Sequence, residues 1–170
     1  MKRTSLILVA FAGLLLAGEE SASGAGFMYF KDSPIVGEST RGGHGGWIEV
    51  DSYQWVAGGP NLGPRKPGAT ASGGPGTLRF VRRTGPSSVQ LKRAFDSKTR
   101  IARVEFEFPD PHKPAAFYQV ELSNVLISGY SKNDPAIPTE TISLNFDKLT
   151  WKYWPQGAPG SLKAAPAVTK

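Results

Sequence analysis

Residues 102–122 read Ala102-Arg-Val-Glu-Phe-Glu-Phe108, then Pro109-Asp-Pro-His-Lys-Pro114, then Phe117-Tyr-Gln-Val-Glu-Leu122. In the first part Ala102, Val104, Phe106 and Phe108 alternate with Arg103, Glu105 and Glu107, the period of a strand with one buried and one wet face. In the last part Tyr118, Val120 and Leu122 alternate with Gln119, Glu121 and Ser123. Two such runs across a Pro-rich turn predict an antiparallel hairpin. After Leu122 the apolar phase breaks at Val125 and Ile127, which predicts a bulge near Asn124.

The same period recurs on both sides of this hairpin. Phe27 to Lys31 reads as a first strand, and the glycine-rich, polar stretch Asp32 to Gly46 as a loop. In Trp47 to Trp55, residues Trp47, Glu49, Asp51, Tyr53 and Trp55 share one side and Ile48, Val50, Ser52 and Gln54 the other, so both faces are mixed. Thr77 to Arg83 places Leu78, Phe80 and Arg82 on one face. Ile142, Leu144 and Phe146 alternate, and beyond Asp147-Lys148 the phase slips to Leu149, Trp151 and Tyr153, which predicts a bend. Residues 86–96 alone change to helical spacing, with Pro86 and Ser87 supplying start chemistry before Leu91, Ala94 and Phe95. Ala57 to Gly76 holds seven Gly and four Pro and reads as a long flexible excursion; Gly129 to Pro138 reads as a polar loop. The fold class is mainly β, a small β-barrel or two-sheet sandwich with one short α-helix, because a single open sheet would leave adhesive edges.

Of the 170 residues, 1–25 read as a signal peptide. Lys2 and Arg3 precede an uncharged apolar run from Leu6 to Gly18, too short to span a bilayer, and Ser23-Gly-Ala25 fits a small-residue cleavage site. Residues 26–156 form the folding domain and 157–170, rich in Pro and Ala, a disordered tail. The leader directs export, to the periplasm or beyond the cell, with no stable membrane insertion once it is removed. Its loss takes away Lys2, Arg3, Glu19 and Glu20, two charges of each sign, so the net +6 is unchanged. With no cysteine, disulfides, thiolate metal sites and a cysteine nucleophile are excluded, and stability rests on packing by nine Phe, five Tyr and four Trp.

Catalytic chemistry is sparse. His44 and His112 are the only histidines, and neither has a ligand-spaced partner, so no metal site or cofactor is expected. His44, among glycines, reads as a solvated loop residue. Asp110 and His112 with Ser87 or Ser123 lack a nucleophile-elbow context, and the chain reads as a non-enzyme. Arg79, Arg82, Arg83, Lys92, Arg93, Lys98, Arg100 and Arg103 are concentrated enough to meet phosphates, but no aromatics interleave with them; a solvated or subunit-facing positive surface is expected, and no nucleic-acid partner. Trp47, Trp55, Trp151 and Trp154 read as core or interface more readily than as a sugar platform.

The order of the pieces carries a resemblance. Val36-Gly-Glu-Ser39, Gly46-Trp-Ile-Glu-Val50 running to Trp55, Leu78-Arg-Phe80 before a Pro-Ser helix, Pro138-Thr-Glu140, Ser143-Leu-Asn-Phe146-Asp and Trp151-Lys-Tyr153 together resemble the haemolysin-coregulated protein (Hcp) family of type VI secretion, over residues 27–155. The resemblance implies a non-enzymatic structural subunit that closes into a homo-hexameric ring, stacks into a hollow tube, carries or chaperones effectors, and meets spike and sheath components. It places Asn61, Leu62, Arg65 and Lys66 in the loop that reaches the neighbouring ring. Gln54 stands where some relatives put a lumen-facing Ser, and is the candidate lumen residue. Typical members lack a cleavable leader, so the alternative is an exported solitary β-domain that binds glycan or protein partners.

Overall fold

A computed structural model describes residues 26–60, 69–110, 113–133 and 136–154. The leader, the Asn61 to Lys66 set, His112 and the 157–170 tail lie outside the described residues. The elements are β1 (Gly26–Lys31), β2 (Ile48–Val50), β3 (Ser52–Ala57), β4 (Thr70–Gly73), β5 (Gly76–Arg83), α1 (Ser88–Asp96), β6 (Arg100–Asp110), β7 (Lys113–Lys132), β8 (Thr139–Phe146) and β9 (Lys148–Trp154). The described helix is not long and apolar enough to cross a membrane.

Every strand pair is antiparallel, and β7 is the strand that both layers share. One of its edges pairs β6; along the other, Phe117 to Ser123 pair β9 and Leu126 to Lys132 pair β8. One layer therefore runs β2-β1-β6-β7-β9-β4 and the other β7-β8-β5-β3. Two corners join them. At Asn124 the backbone is left-handed, φ 54°, a conformation Asn tolerates better than most residues. The expected irregularity lies a few residues farther on: β6 and β7 stay in register past Asn124, while β7 shifts register against β8 between Ile127 and Gly129. Arg100 donates to the Asn124 carbonyl (3.3 Å) and the Asn124 amide to Asp147, where β8 ends and β9 begins. On the opposite side Asp51 is the second corner, its N–H donating to the Val81 carbonyl (2.9 Å) as the chain leaves β1 for β5.

The Asp51 corner explains the mixed faces of Trp47 to Trp55. Ile48 and Val50 are buried against β1, the chain turns, and from β3 onward Tyr53 points inward with Trp55 packed behind it. Between the layers Tyr53 meets Phe106 edge-on (centroids 4.9 Å, 81°), Phe106 meets Phe108 (5.0 Å), and Phe108 stacks on Tyr118 (5.5 Å). The slip at Asp147-Lys148 is the β8–β9 break, and it leaves Leu144, Phe146, Leu149 and Trp151 all in the core.

Two stretches read as loops contain strand. Thr70 to Gly73, inside the Ala57 to Gly76 excursion, pairs Lys152 to Leu149; its period is hidden because the one side chain it packs against the core is the small Ala71. Beyond Ile127, β7 continues to Lys132 although Gly129 begins a polar run, because Tyr130 turns inward while Ser131 and Ser128 line the wet side. Phe106→Ala should cost about 3–5 kcal/mol in urea unfolding with the slope of the transition unchanged.

Candidate functional site

The first loop is held by two buried polar constellations. Gly37 to Ser39 run beside Gly46 and Trp47 through Gly37 N–H to Gly46 O (2.8 Å) and Ser39 N–H to Trp47 O (2.9 Å). A Cβ on Gly37 would stand 2.1 Å from the Trp47 carbonyl, so only glycine permits this approach. Glu38 and Ser39 are thereby aimed in different directions. Ser39 donates to Glu49 (3.0 Å), and Glu38 accepts the Ser87 N–H (2.5 Å) at the start of α1.

Glu38 also meets Arg82, the centre of the first constellation. The Arg82 guanidinium lies 3.2 Å from Glu38 and 3.3 Å from Glu140, and donates to the Ser87 hydroxyl and, at 2.7 Å, to the Arg83 carbonyl. Glu140 is wholly buried, and beyond Arg82 it accepts from Ser88 Oγ (2.9 Å) and the Tyr130 hydroxyl (2.5 Å). A buried pair survives only when its remaining lone pairs and protons are met, and Glu38, Ser87, the Arg83 carbonyl, Ser88 and Tyr130 meet them. Burial pushes the Glu38 carboxyl up, but the Ser87 amide and hydroxyl and the Arg82 charge outweigh it, so it sits below its usual 4.5. Burial, aided by the Glu140 carboxylate, pushes the Tyr130 hydroxyl up to about 12. Ser87 is fully committed here and is no free nucleophile.

His44 corrects the expectation of a solvated loop residue. It is 5% exposed, and its Nε2 lies 2.7 Å from Glu107, itself 2% exposed. Gln119 donates to the other Glu107 oxygen (3.1 Å). Phe27 stacks on the imidazole (4.1 Å) and Trp47 meets it edge-on (5.0 Å). Glu107 was expected on a wet face, and its period is correct, but the glycine-rich loop lies over it. Positive φ at Gly43 (81°) and Gly46 (78°) folds the loop down, a signal the glycines around His44 already carry.

The other candidates disperse. Of the basic cluster, Arg82 is buried, Lys92 pairs Asp96 (2.5 Å), Lys98 covers the Phe95 ring (4.8 Å) and Arg100 reaches Asp147 (4.0 Å). Trp47 stacks on Tyr29 (5.4 Å), while Trp55 packs on Phe106, Phe108 and Phe146, so the tryptophans form no common platform. Among the described residues no three His, Asp or Glu side chains converge as metal ligands do. Gln54 lies half-buried on β3, in a row with Arg79 of β5 and Ser143 of β8. That row belongs to the outward face of the β3-β5-β8-β7 layer, with Thr77, Thr141 and Asn145 in neighbouring rows.

Arg82→Met should cost about 3–5 kcal/mol because it strands a buried carboxylate, and Arg82→Met with Glu140→Leu should recover most of that loss, read by a double-mutant cycle in urea. Glu38→Gln should cost about 1 kcal/mol near neutrality. A carboxyl with a lowered folded value stabilises fully above about 4.5 and loses that stabilisation as the pH falls through the folded value. Melting curves of wild type and Glu38→Gln should therefore converge as the pH falls below that folded value.

The fold has close parallels among solved structures. Hcp1 from Salmonella typhimurium is 20% identical with a TM-score of 0.58, over 80% of this chain and 90% of that one. A type VI secretion system effector from Yersinia pestis is 20% identical (TM-score 0.57, 75% and 88%), and Hcp1 from E. coli EAEC 042, as a double mutant, is 21% identical (0.58, 75% and 88%). No curated protein matches. The family model described as "Type VI secretion system effector, Hcp" matches residues 27–153, the span that contains both buried constellations, all the described strands but their ends, and the Gln54 row. The chain belongs to the Hcp family of type VI secretion tube subunits.

Proposed function

We propose that this protein is exported, closes into a six-membered ring of identical copies, and stacks ring on ring through residues 61–66, with the Gln54 row facing the lumen and no catalytic step. The observation that carries the reading is the family match across residues 27–153, a family of structural tube proteins that self-associate and are secreted. Physical features support the finer parts. Among the described residues the sandwich ends in edge strands β2, β3 and β4, and such edges favour contact with another chain. Heterologous contacts close into rings or run on as open stacks according to the rotation between copies. Asn61, Leu62, Arg65 and Lys66 sit between β3 and β4, within an excursion whose two ends, Gly58 after β3 and Gly76 at the start of β5, approach closely; a segment leaving and returning at one rim suits an arm that reaches an adjacent ring.

The leader supports delivery to the periplasm or the cell exterior, where effectors, or spike and sheath components, are the further partners. Light scattering of the purified protein at high micromolar concentration should give six times the chain mass. A strict monomer would remove the ring and favour a solitary domain that binds glycan or protein. Because Thr70 to Gly73 belong to a sheet, the loop is tested by replacing residues 61–68 with a Gly/Ser segment of equal length. Rings should persist and electron micrographs should lose stacked tubes; loss of the rings themselves would refute the loop's assignment.

A further inference from the structure

The two layers present different chemistry outward. On the β6-β7-β9 face, Glu105 stands opposite Glu121, with Lys31 3.5 Å from Glu105 and Lys152 nearby, so charge of both signs is mixed. On the other face, the outward positions of β3, β5, β8 and the second half of β7 hold hydroxyls, amides, two arginines and the apolar Val56, Val81 and Leu126, and no Asp or Glu. Arg79 and Arg83 are exposed, and among the described residues neither side chain is in an ion pair. Carboxylates stand only at the rims: in the cleft that Arg83 lines, Glu38 is held by Arg82, Glu49 by Arg41, and Asp51 stands at the corner, while Asp147 is engaged by Arg100.

Arg79 and Arg83 are four residues apart on one strand, hence about 13 Å apart, beyond the screening length at physiological salt. Each offers an unpaired guanidinium fork to a separate carboxylate. Around them Gln54, Thr141, Ser143 and Asn145 supply neutral donors and acceptors suited to a peptide backbone. Among the described residues no aromatic ring lies on this face, since Trp55 and Tyr130 pack inward against the core; bases would find no stacking platform there. We propose that this face docks an acidic protein segment, with Arg79 and Arg83 each pairing a carboxylate of an extended stretch. The proposal deepens the reading above and rests on the Gln54 row being the cargo-facing surface.

The purified protein is titrated against a fluorescein-labelled deca-glutamate peptide, a Gly/Ser decapeptide and a dT20 oligonucleotide, read by anisotropy at 50 mM and 500 mM salt. Deca-glutamate should bind at low salt, weaken at high salt, and bind at least about tenfold more weakly to Arg79→Glu/Arg83→Glu, with the Gly/Ser peptide silent. Arg79→Gln/Arg83→Gln, at exposed positions, should reproduce the loss in part and serves if the charge reversal fails to fold. Equal binding by wild type and both variants, no binding by wild type, or tighter binding of dT20 would overturn the proposal. So would a change in the light-scattering mass of the variants, which would make the arginines a contact between copies. A monomer that binds deca-glutamate through Arg79 and Arg83 supports the acidic ligand while removing the ring; rings indifferent to the peptide do the reverse.

Discussion

Arg82 and Glu140 are direct cross-strand partners on the inward face of β5 and β8, and a charge pair in that position tolerates no other register. Strand side chains alternate with period two, so a one-residue slip would export the pair and bury Arg79 or Arg83 in its place. The pair is also the junction of distant segments: Glu38 from the first loop, Ser87 and Ser88 from the helix start, and Tyr130 from β7. Removing any one partner leaves buried polarity unmet, which is far costlier than an intact pair is stabilising. The junction is therefore better understood as a lock on register and loop position than as a source of net stability.

From that lock follow the surfaces. With Arg82 and Glu140 inward, Arg79, Arg83, Ser143 and Asn145 are outward by necessity, and the acid-free face is a consequence of the same register. The His44–Glu107 pair plays the corresponding part in the other layer. It holds the glycine-rich loop against β1 and β6, so that layer's outer surface is partly covered while the Gln54 layer stays open. An assembling subunit needs such asymmetry, because heterologous contacts require two unlike surfaces on one chain.

Much of this was legible in sequence. The hairpin from Ala102 to Leu122, the slip at Asp147-Lys148, the helix after Pro86 and the inward placing of Arg82 all follow from periodicity, which local sterics and burial impose on any chain. Thr70 to Gly73 was not legible, because an edge strand of four small residues, with Ala71 the one packed on the core, carries no apolar period to read. The mixed faces of Trp47 to Trp55 could not be resolved either: the turn at Asp51 depends on β1 and β5 lying on different layers, which no local pattern encodes.

The sequence by itself determined which residues are apolar and with what period, and the ordered motifs that mark the family; those properties are written in short windows and need no partner to be expressed. Only the tertiary structure decided that His44 is buried, that Glu107 leaves the wet face, and that Glu38, Arg82, Ser87 and Glu140 converge. A polar side chain is buried only when distant groups arrive to meet its hydrogen bonds, and those arrivals are set by the fold of the whole chain.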